Sequence, residues 1–193
     1  MQQGKKYLVF LLIIVLGVGL DQYTKHLADI NLGARCNSEY PGWDEAPVHD
    51  CPFDPAARFT WTHIYNDGAF LSMGSDWPPL VRLLLLTILP GLLLIGVMVY
   101  MLRSDKVRML EAVTFALIAA GGLGNIIDRI LAGKVVDFMF MNLDLFNQDW
   151  EWAKTGIFNV ADLYIVIGVC LYVIAAARAW MKARKEPKPD AAA

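Results

Sequence analysis

The residues of this sequence that could do chemistry are mainly carboxylates and amides set among apolar residues. Asp137 lies inside the apolar, β-prone run of residues 135–140, and Asp162 follows Asn159 by three positions. Two carboxylates placed close together cannot both ionise easily, so one keeps a proton while the other stays charged. The charged one can take a proton from water, and the protonated one can hydrogen-bond a peptide carbonyl. Such a pair suffices for amide hydrolysis without a metal or a covalent intermediate.

Other chemistries have little support in the sequence. There is no GxSxG motif, and His26, His49 and His63 are scattered, so neither a serine nucleophile nor a zinc site is predicted. No cofactor is expected. The remaining polar residues that could contribute to one site are Asp21, Lys25, Asn66, Asn125, Asp128 and Arg129.

Composition indicates where such a site must lie. Of the 193 residues, 56% are hydrophobic and only 19% are charged, and the mean hydropathy is +0.43. These values exclude a disordered or disulfide-rich secreted chain and argue against a soluble enzyme. The net charge of −2 provides no basic field for nucleic acid. An integral membrane protein is therefore expected.

Four stretches are long and apolar enough to cross a bilayer, at about 20 residues each. They cover residues 7–28, 80–102, 109–131 and 157–181, and Pro90 is expected to kink the second. We expect residues 1–181 to form a single membrane domain and residues 182–193 a disordered cytoplasmic tail. The outer segments would be residues 29–79 and 132–156.

The distribution of Lys and Arg predicts the orientation of the spans. Ten of the 17 basic residues precede the first span, separate the second from the third, or lie in the last turn of the fourth and beyond it. The positive-inside rule then places both termini in the cytoplasm. Asp21, Asn125 and Asp162 consequently lie near the outer ends of three different spans. Because ionisable groups in membranes are costly and usually functional, we expect one shallow polar site near the outer leaflet.

The outer segments contain two predicted strands and a cysteine pair. Residues 59–65 alternate as a strand does and end at the turn Asn66-Asp67-Gly68, and residues 135–140 form a second β-prone run. A small extracytoplasmic sheet resting on the helix ends is therefore predicted. Cys36 and Cys51 both lie in the first outer segment. The sequence is equally compatible with a disulfide between them and with two free thiols.

Five motifs in order resemble those of the lipoprotein signal peptidases (signal peptidase II), the membrane aspartyl proteases of bacteria. Any one alone would be weak, but the ordered set is highly specific. The motifs are Asp21-Gln22-Tyr23-Thr24-Lys25, Asn66-Asp67-Gly68-Ala69-Phe70, Gly121-Gly122-Leu123-Gly124-Asn125-Ile126-Ile127-Asp128-Arg129, Val135-Val136-Asp137-Phe138 and Phe158-Asn159-Val160-Ala161-Asp162.

The resemblance implies a four-helix transmembrane bundle with a small extracytoplasmic β-cradle and a mobile outer loop. It implies an aspartic endopeptidase of the bacterial inner membrane that cleaves diacylglyceryl-modified prolipoproteins just before the lipidated cysteine. Asp137 and Asp162 would be the catalytic dyad, and Asn66 and Arg129 would contact the substrate backbone. The site would be shaped by Gly68, Asn125, Asp128 and Asn159 and supported by Asp21 and Lys25. The segments 29–58 and 143–154 look longer than the corresponding segments of the family, which leaves the substrate preference open.

Simpler interpretations stand beside these roles. Asp162 could merely favour the dipole of the fourth helix, although Asn159 is the better capping residue and would leave Asp162 free. Asp128 and Arg129 could form a structural pair, and Asp21 with Lys25 is an i,i+4 pair. The glycines Gly121, Gly122 and Gly124 are read as a close helix-packing face.

Two other functions remain open at this point. A proton-coupled transporter would also use membrane carboxylates, but it needs polar groups at the midplane. A structural protein that binds a partner through its outer loops would leave the carboxylates unexplained. A monomer in contact with membrane lipid suffices for the proposed chemistry.

Overall fold

The computed structural model describes residues 2–33, 57–69, 73–104, 107–144 and 153–185. Within these residues, four helices are long and apolar enough to cross a membrane, which confirms the predicted four-span architecture. They are Gln3–Gly33, Pro79–Arg103, Met109–Ala132 and Val160–Lys182. Cys36 and Cys51, for which the sequence leaves a disulfide open, lie outside the described residues, as do residues 34–56 and 70–72 of the first outer segment.

The first two spans depart from a plain α-helix. Helix α1, Gln2–Ala28, continues into one π-helical turn, Asp29–Gly33. The second span consists of α2 (Pro79–Arg82), a π-helical segment (Leu83–Ile88) and α3 (Leu89–Arg103). Proline lacks an amide hydrogen and its ring clashes with the carbonyl four residues earlier. The π segment directly before Pro90 widens the helix at the position where that clash would occur.

Helix α4, Met109–Ala132, is the centre of the bundle and packs against α1, against the second span and against α5, Val160–Lys185. Its buried face consists largely of alanine and glycine, which lets neighbouring backbones approach closely. Gly121 lies against the backbone of Ala161 in α5, Gly122 against Leu94 and Gly124 against the Asp21 carboxylate. The three glycines therefore face three different spans.

Close packing at Gly121 gives a testable prediction. A methyl group there would be driven against the carbonyl oxygen of Ala161. We expect Gly121→Ala to lower the free energy of unfolding by about 1–3 kcal/mol, the usual cost of overpacking. Thermal unfolding in detergent measures it, with Gly19→Ala as the matched control because nothing lies within 4 Å of the added atom. Equal unfolding temperatures of the two variants would contradict this packing.

A two-stranded antiparallel sheet covers one end of the bundle, which we call the sheet end. Strand β1, Phe59–Asn66, pairs with β2, Val135–Met141, with Asn66 opposite Val135 and Ile64 opposite Asp137. The predicted small sheet is confirmed, and each strand is one residue longer than expected. At the opposite end, the Lys6 ammonium donates to the Val107 carbonyl oxygen at 2.7 Å, which joins the start of α1 to the connection between the second and third spans.

Helix α5 differs from expectation at both ends. It begins at Val160 rather than at residue 157, because Asn159 is its N-cap. It continues through Lys185, so residues 182–185, expected to be disordered, extend the helix. Charged side chains at a helix end remain in water while their backbone stays helical.

Candidate active site

Strand β2 brings Asp137 to the beginning of α5. The Met139 amide donates to the Phe158 carbonyl oxygen at 2.9 Å, and the Phe158 amide donates to the Met139 carbonyl oxygen at 2.8 Å. Asp137 lies two residues before this pairing, and Asn159 directly follows it. Because residues i and i+2 of a strand share a face, the pairing places the Asp137 side chain beside the first turn of α5, which carries Asp162.

Asn159 contacts both aspartates. Its Nδ2 donates to Asp137 Oδ1 at 2.6 Å, and its backbone amide donates to Asp162 Oδ2 at 3.2 Å. The Asp162 amide donates in return to Asn159 Oδ1 at 3.1 Å. This reciprocal arrangement is a capping box. The expectation that capping by Asn159 leaves Asp162 free is therefore wrong, because the Asp162 carboxylate takes part in the cap.

Asn125 of α4 holds the other oxygen of Asp162 and connects it to Lys25. Its Nδ2 donates to Asp162 Oδ1 at 2.9 Å, while its Oδ1 accepts from Lys25 Nζ at 3.0 Å and from Asn159 Nδ2 at 3.1 Å. An ammonium group can only donate, so the Asn125 oxygen must face Lys25. Lys25 thereby determines that the amide hydrogens of Asn125 point at Asp162.

The turn after β1 supports Asp137 from its other side. Asn66 Nδ2 donates to Asp137 Oδ2 at 2.8 Å, and Asn66 Oδ1 accepts from the Gly68 amide at 2.8 Å. Arg129 Nη2 donates to the Gly68 carbonyl oxygen at 2.6 Å. Gly68 thus contributes its backbone, which links the turn to α4.

Asp137 is buried in a charged environment. It is 2% exposed. Its burial, and then the negative charge of Asp162, raise the pKa of Asp137 from 3.8 to about 7. Hydrogen bonds from Asn66 and Asn159 and the positive charge of Lys25 lower the pKa but do not offset this rise. Arg129 also faces Asp137. A carboxyl with a pKa near 7 can hold a proton at neutral pH and release it during a reaction.

A second charged cluster lies behind the aspartates. Lys25 Nζ is 2.8 Å from Asp21 Oδ2 and 2.7 Å from Asp128 Oδ2, and these three side chains are at most 10% exposed. Asp21 Oδ1 also accepts the Ala161 amide at 2.9 Å. Asp128 therefore pairs with Lys25 in this cluster. Gln22, which sequence reasoning missed, donates to Asp128 Oδ1 at 2.8 Å.

A cavity of about 360 Å³ adjoins the aspartates. Its polar end is formed by Asn66, Asn125, Arg129, Asp137 and Asp162. Apolar side chains of the second span, of α4 and of α5 line the rest, among them Leu86, Pro90, Ile126, Ile165 and Val166. Asp21, Lys25, Gly68, Asp128 and Asn159 do not line it. Among the described residues, no group of three or more His, Cys, Asp or Glu side chains could hold a metal ion.

A four-span helical bundle with two aspartates at the polar end of an apolar cavity fits the class of membrane aspartic-type peptidases. The family model described as signal peptidase (SPase) II matches residues 13–178. The chain therefore belongs to the signal peptidase II family, which confirms the resemblance carried by the five motifs.

Individual relatives agree with this assignment. The chain is 37% identical over 175 residues to the lipoprotein signal peptidase of Chlorobium phaeovibrioides, covering 88% of this chain and 89% of the relative. It is 34% identical to that of Pseudoalteromonas atlantica, covering 90% of each. A solved bacterial membrane enzyme superposes with a TM-score of 0.65 at 27% identity over 93% of each chain. Another superposes with a TM-score of 0.58 at 28% identity, covering 86% of this chain and 91% of that one.

Proposed function

We propose that this chain is an endopeptidase that removes the signal peptide from diacylglyceryl-modified prolipoproteins, cutting just before the lipidated cysteine. Family membership and the lipoprotein signal peptidases among its relatives support the reaction. One observation carries its assignment to residues: Asn159 bonds both Asp137 and Asp162 beside one cavity.

In the proposed reaction the two carboxyl groups act in opposite protonation states. Asp162 takes a proton from a water whose oxygen attacks the scissile carbonyl carbon, while Asp137 donates its proton to the carbonyl oxygen. The tetrahedral intermediate collapses when Asp162 gives its proton to the leaving nitrogen and the carbon–nitrogen bond breaks. Asp137 recovers its proton from the intermediate's hydroxyl. The products are a carboxylic acid and the free amine of the lipidated cysteine.

The other site residues take supporting roles in this proposal. Asn125 and Asn159 orient the carboxylates, and Asn66 holds Asp137. Arg129 would contact the substrate backbone, since it lines the cavity and its guanidinium keeps donors beyond those given to the carbonyl oxygens of Gly68 and Asn125. Asp21, Lys25 and Asp128 support the site from behind.

The cavity walls suit a lipid-bearing substrate. Leu86 and Pro90 face it from the second span, and Ile165 and Val166 face it from α5. Val166 lies four residues beyond Asp162, about 6 Å further along the helix. We place the sheet end at the outer leaflet and both termini in the cytoplasm, as the Lys and Arg distribution predicts. Acyl chains could then enter between the spans while the peptide bond stays at the polar end.

The proposal is tested with the purified full chain in detergent. A diacylglyceryl-modified prolipoprotein and its unmodified form are incubated separately, and the products are identified by mass spectrometry. We expect a cut immediately before the modified cysteine and little cleavage of the unmodified protein. Absence of cleavage, or equal cleavage of both substrates, would refute the proposal. Proton flux in liposomes without cleavage would favour the transporter instead.

The pH dependence of cleavage should report the bond between Asn66 and Asp137. The Asn66 donor favours the charged form of Asp137, so its removal raises the pKa of that carboxyl further above 7. Activity needs protonated Asp137 and falls as pH rises through its pKa. In Asn66→Ala we therefore expect a lower rate and an alkaline limb moved up by roughly one pH unit. Asn31→Ala, which removes an exposed amide, is the control, and an unmoved or lowered limb would contradict the assignment.

A further inference from the structure

An ion pair outside the aspartate site joins the sheet to the second span. Arg82 Nη1 lies 3.2 Å from Asp67 Oδ2, and the side chains are 26% and 50% exposed, respectively. Asp67 stands between Asn66, which bonds Asp137, and Gly68, whose carbonyl oxygen accepts from Arg129. The pair is thus one residue from two contacts of the site, although neither member lines the site cavity.

A side cavity of about 250 Å³ lies beside this turn. Asp67, Arg82 and Gly133 line it, together with Leu86 and Arg129, which also line the site cavity. The turn therefore lacks close packing on this side, and dispersion contacts there contribute little to its position. The ion pair with Arg82 is a direct link between this face of the turn and the second span.

We propose that Asp67 and Arg82 act as a positioning pair that holds the turn of residues 66–68 against the second span. By doing so the pair keeps Asn66 on Asp137 and the Gly68 carbonyl on Arg129. The inference rests on the proposed peptidase function, because the pair affects the rate of cleavage only through the groups that it places around the aspartates.

Loss of the ion pair is expected to change the rate of cleavage more than the stability of the fold. A partly exposed ion pair contributes between zero and about 1 kcal/mol to stability, so its loss leaves the bundle folded. A displacement of about 1 Å in a catalytic arrangement, in contrast, can cost a hundredfold in rate. The pair also connects the site to the wall that carries Leu86, in the π-helical segment of the second span.

Arg82→Gln, Asp67→Asn and the exchanged pair Asp67→Arg/Arg82→Asp test the inference. We expect each single variant to lower kcat about tenfold or more, to keep KM for the lipidated substrate within about twofold, and to move the alkaline limb upward, as Asn66→Ala does. That limb reports Asp137, which Asp162, Lys25 and Arg129 face from three spans. The exchanged pair should recover most of kcat. Arg108→Gln, which breaks the exposed pair with Glu111 at the other end of the bundle, should leave kcat unchanged.

Hydrogen exchange separates failure of this inference from failure of the proposed function. The Gly68 amide donates to Asn66 Oδ1, so it should exchange several-fold faster in both single variants than in the wild type or Arg108→Gln, whether or not the protein cleaves. An inactive wild type would refute the peptidase. An active wild type together with single variants of unchanged kcat, pH profile and Gly68 exchange would refute the positioning pair.

Discussion

Replacing either Asp137 or Asp162 by asparagine is expected to abolish cleavage of a diacylglyceryl-modified prolipoprotein. General acid–base groups contribute about 100- to 10,000-fold each, and the proposed reaction needs one carboxyl to take a proton while the other gives one. Asparagine has nearly the same shape and can do neither. Initial rates with purified variants, at enzyme concentrations high enough to detect a 10,000-fold loss, measure the effect.

A matched control separates chemistry from folding in this experiment. Asp76→Asn changes an exposed aspartate outside the site cavity and should keep full activity. Monodisperse elution and unfolding temperatures near the wild type would show that Asp137→Asn and Asp162→Asn are folded. Substantial activity in either of these two variants would defeat the dyad assignment.

The second large effect is expected at Lys25. Lys25→Met removes the cation between Asp21 and Asp128. It leaves one buried and one largely buried carboxylate without a partner charge, since Asp21 is 0% exposed and Asp128 10%. Breaking a buried ion pair by removing one partner costs about 3–5 kcal/mol. For a chain of this size we expect the unfolding temperature in detergent to fall by roughly 10 °C. Activity should fall as well, because Asn125 loses the donor that orients it towards Asp162.

Two comparisons sharpen the Lys25 experiment. Lys182→Met removes an exposed lysine from the same chain and should change the unfolding temperature little. Lys25→Met/Asp21→Asn removes one of the two uncompensated carboxylates and should recover part of the lost stability. A Lys25→Met protein as stable as the wild type would show that the cluster is not required in the folded bundle.

Much of the fold could be predicted because length and apolarity leave few alternatives in a bilayer. Four apolar stretches of about 20 residues require four helices, since every backbone group must be bonded within its own segment. The π-helical segment Leu83–Ile88 was not predictable in the same way. Pro90 indicates a disturbance, but its ring permits a kink as readily as a widened turn.

The sequence predicted the depth at which the site residues lie in the membrane. It did not predict which side of the helix faces each neighbouring span. Asn125, Asp128 and Arg129 share the last turns of α4, which placed them all in one site. At about 100° per residue, Asp128 and Arg129 lie roughly 60° and 40° from Asn125, on opposite sides of it. The sequence does not show which side faces α1. In the structure Asp128 faces Lys25, Arg129 faces the cavity, and Asn125 between them contacts both clusters.

The capping box at α5 could have been predicted from spacing alone. Asn159 and Asp162 stand at the N-cap and N3 positions, the separation at which each side chain reaches the other's backbone amide. Capping the helix and contributing to the proposed dyad are not alternatives for Asp162. The two roles are compatible, because a carboxylate has two oxygens and the cap uses one of them while Asn125 bonds the other.

The protonation state of Asp137 is the most direct test of the proposed mechanism. Infrared difference spectra between the wild type and Asp137→Asn, recorded across pH in H₂O and D₂O, isolate the carbonyl stretch of a protonated carboxyl. The account predicts such a band at pH 6, shifted in D₂O and lost with a midpoint near the pKa of Asp137 of about 7. If the band is absent from pH 5 to 8, both aspartates are ionised throughout. That result would contradict the assignment of Asp137 as the proton donor and Asp162 as the proton acceptor.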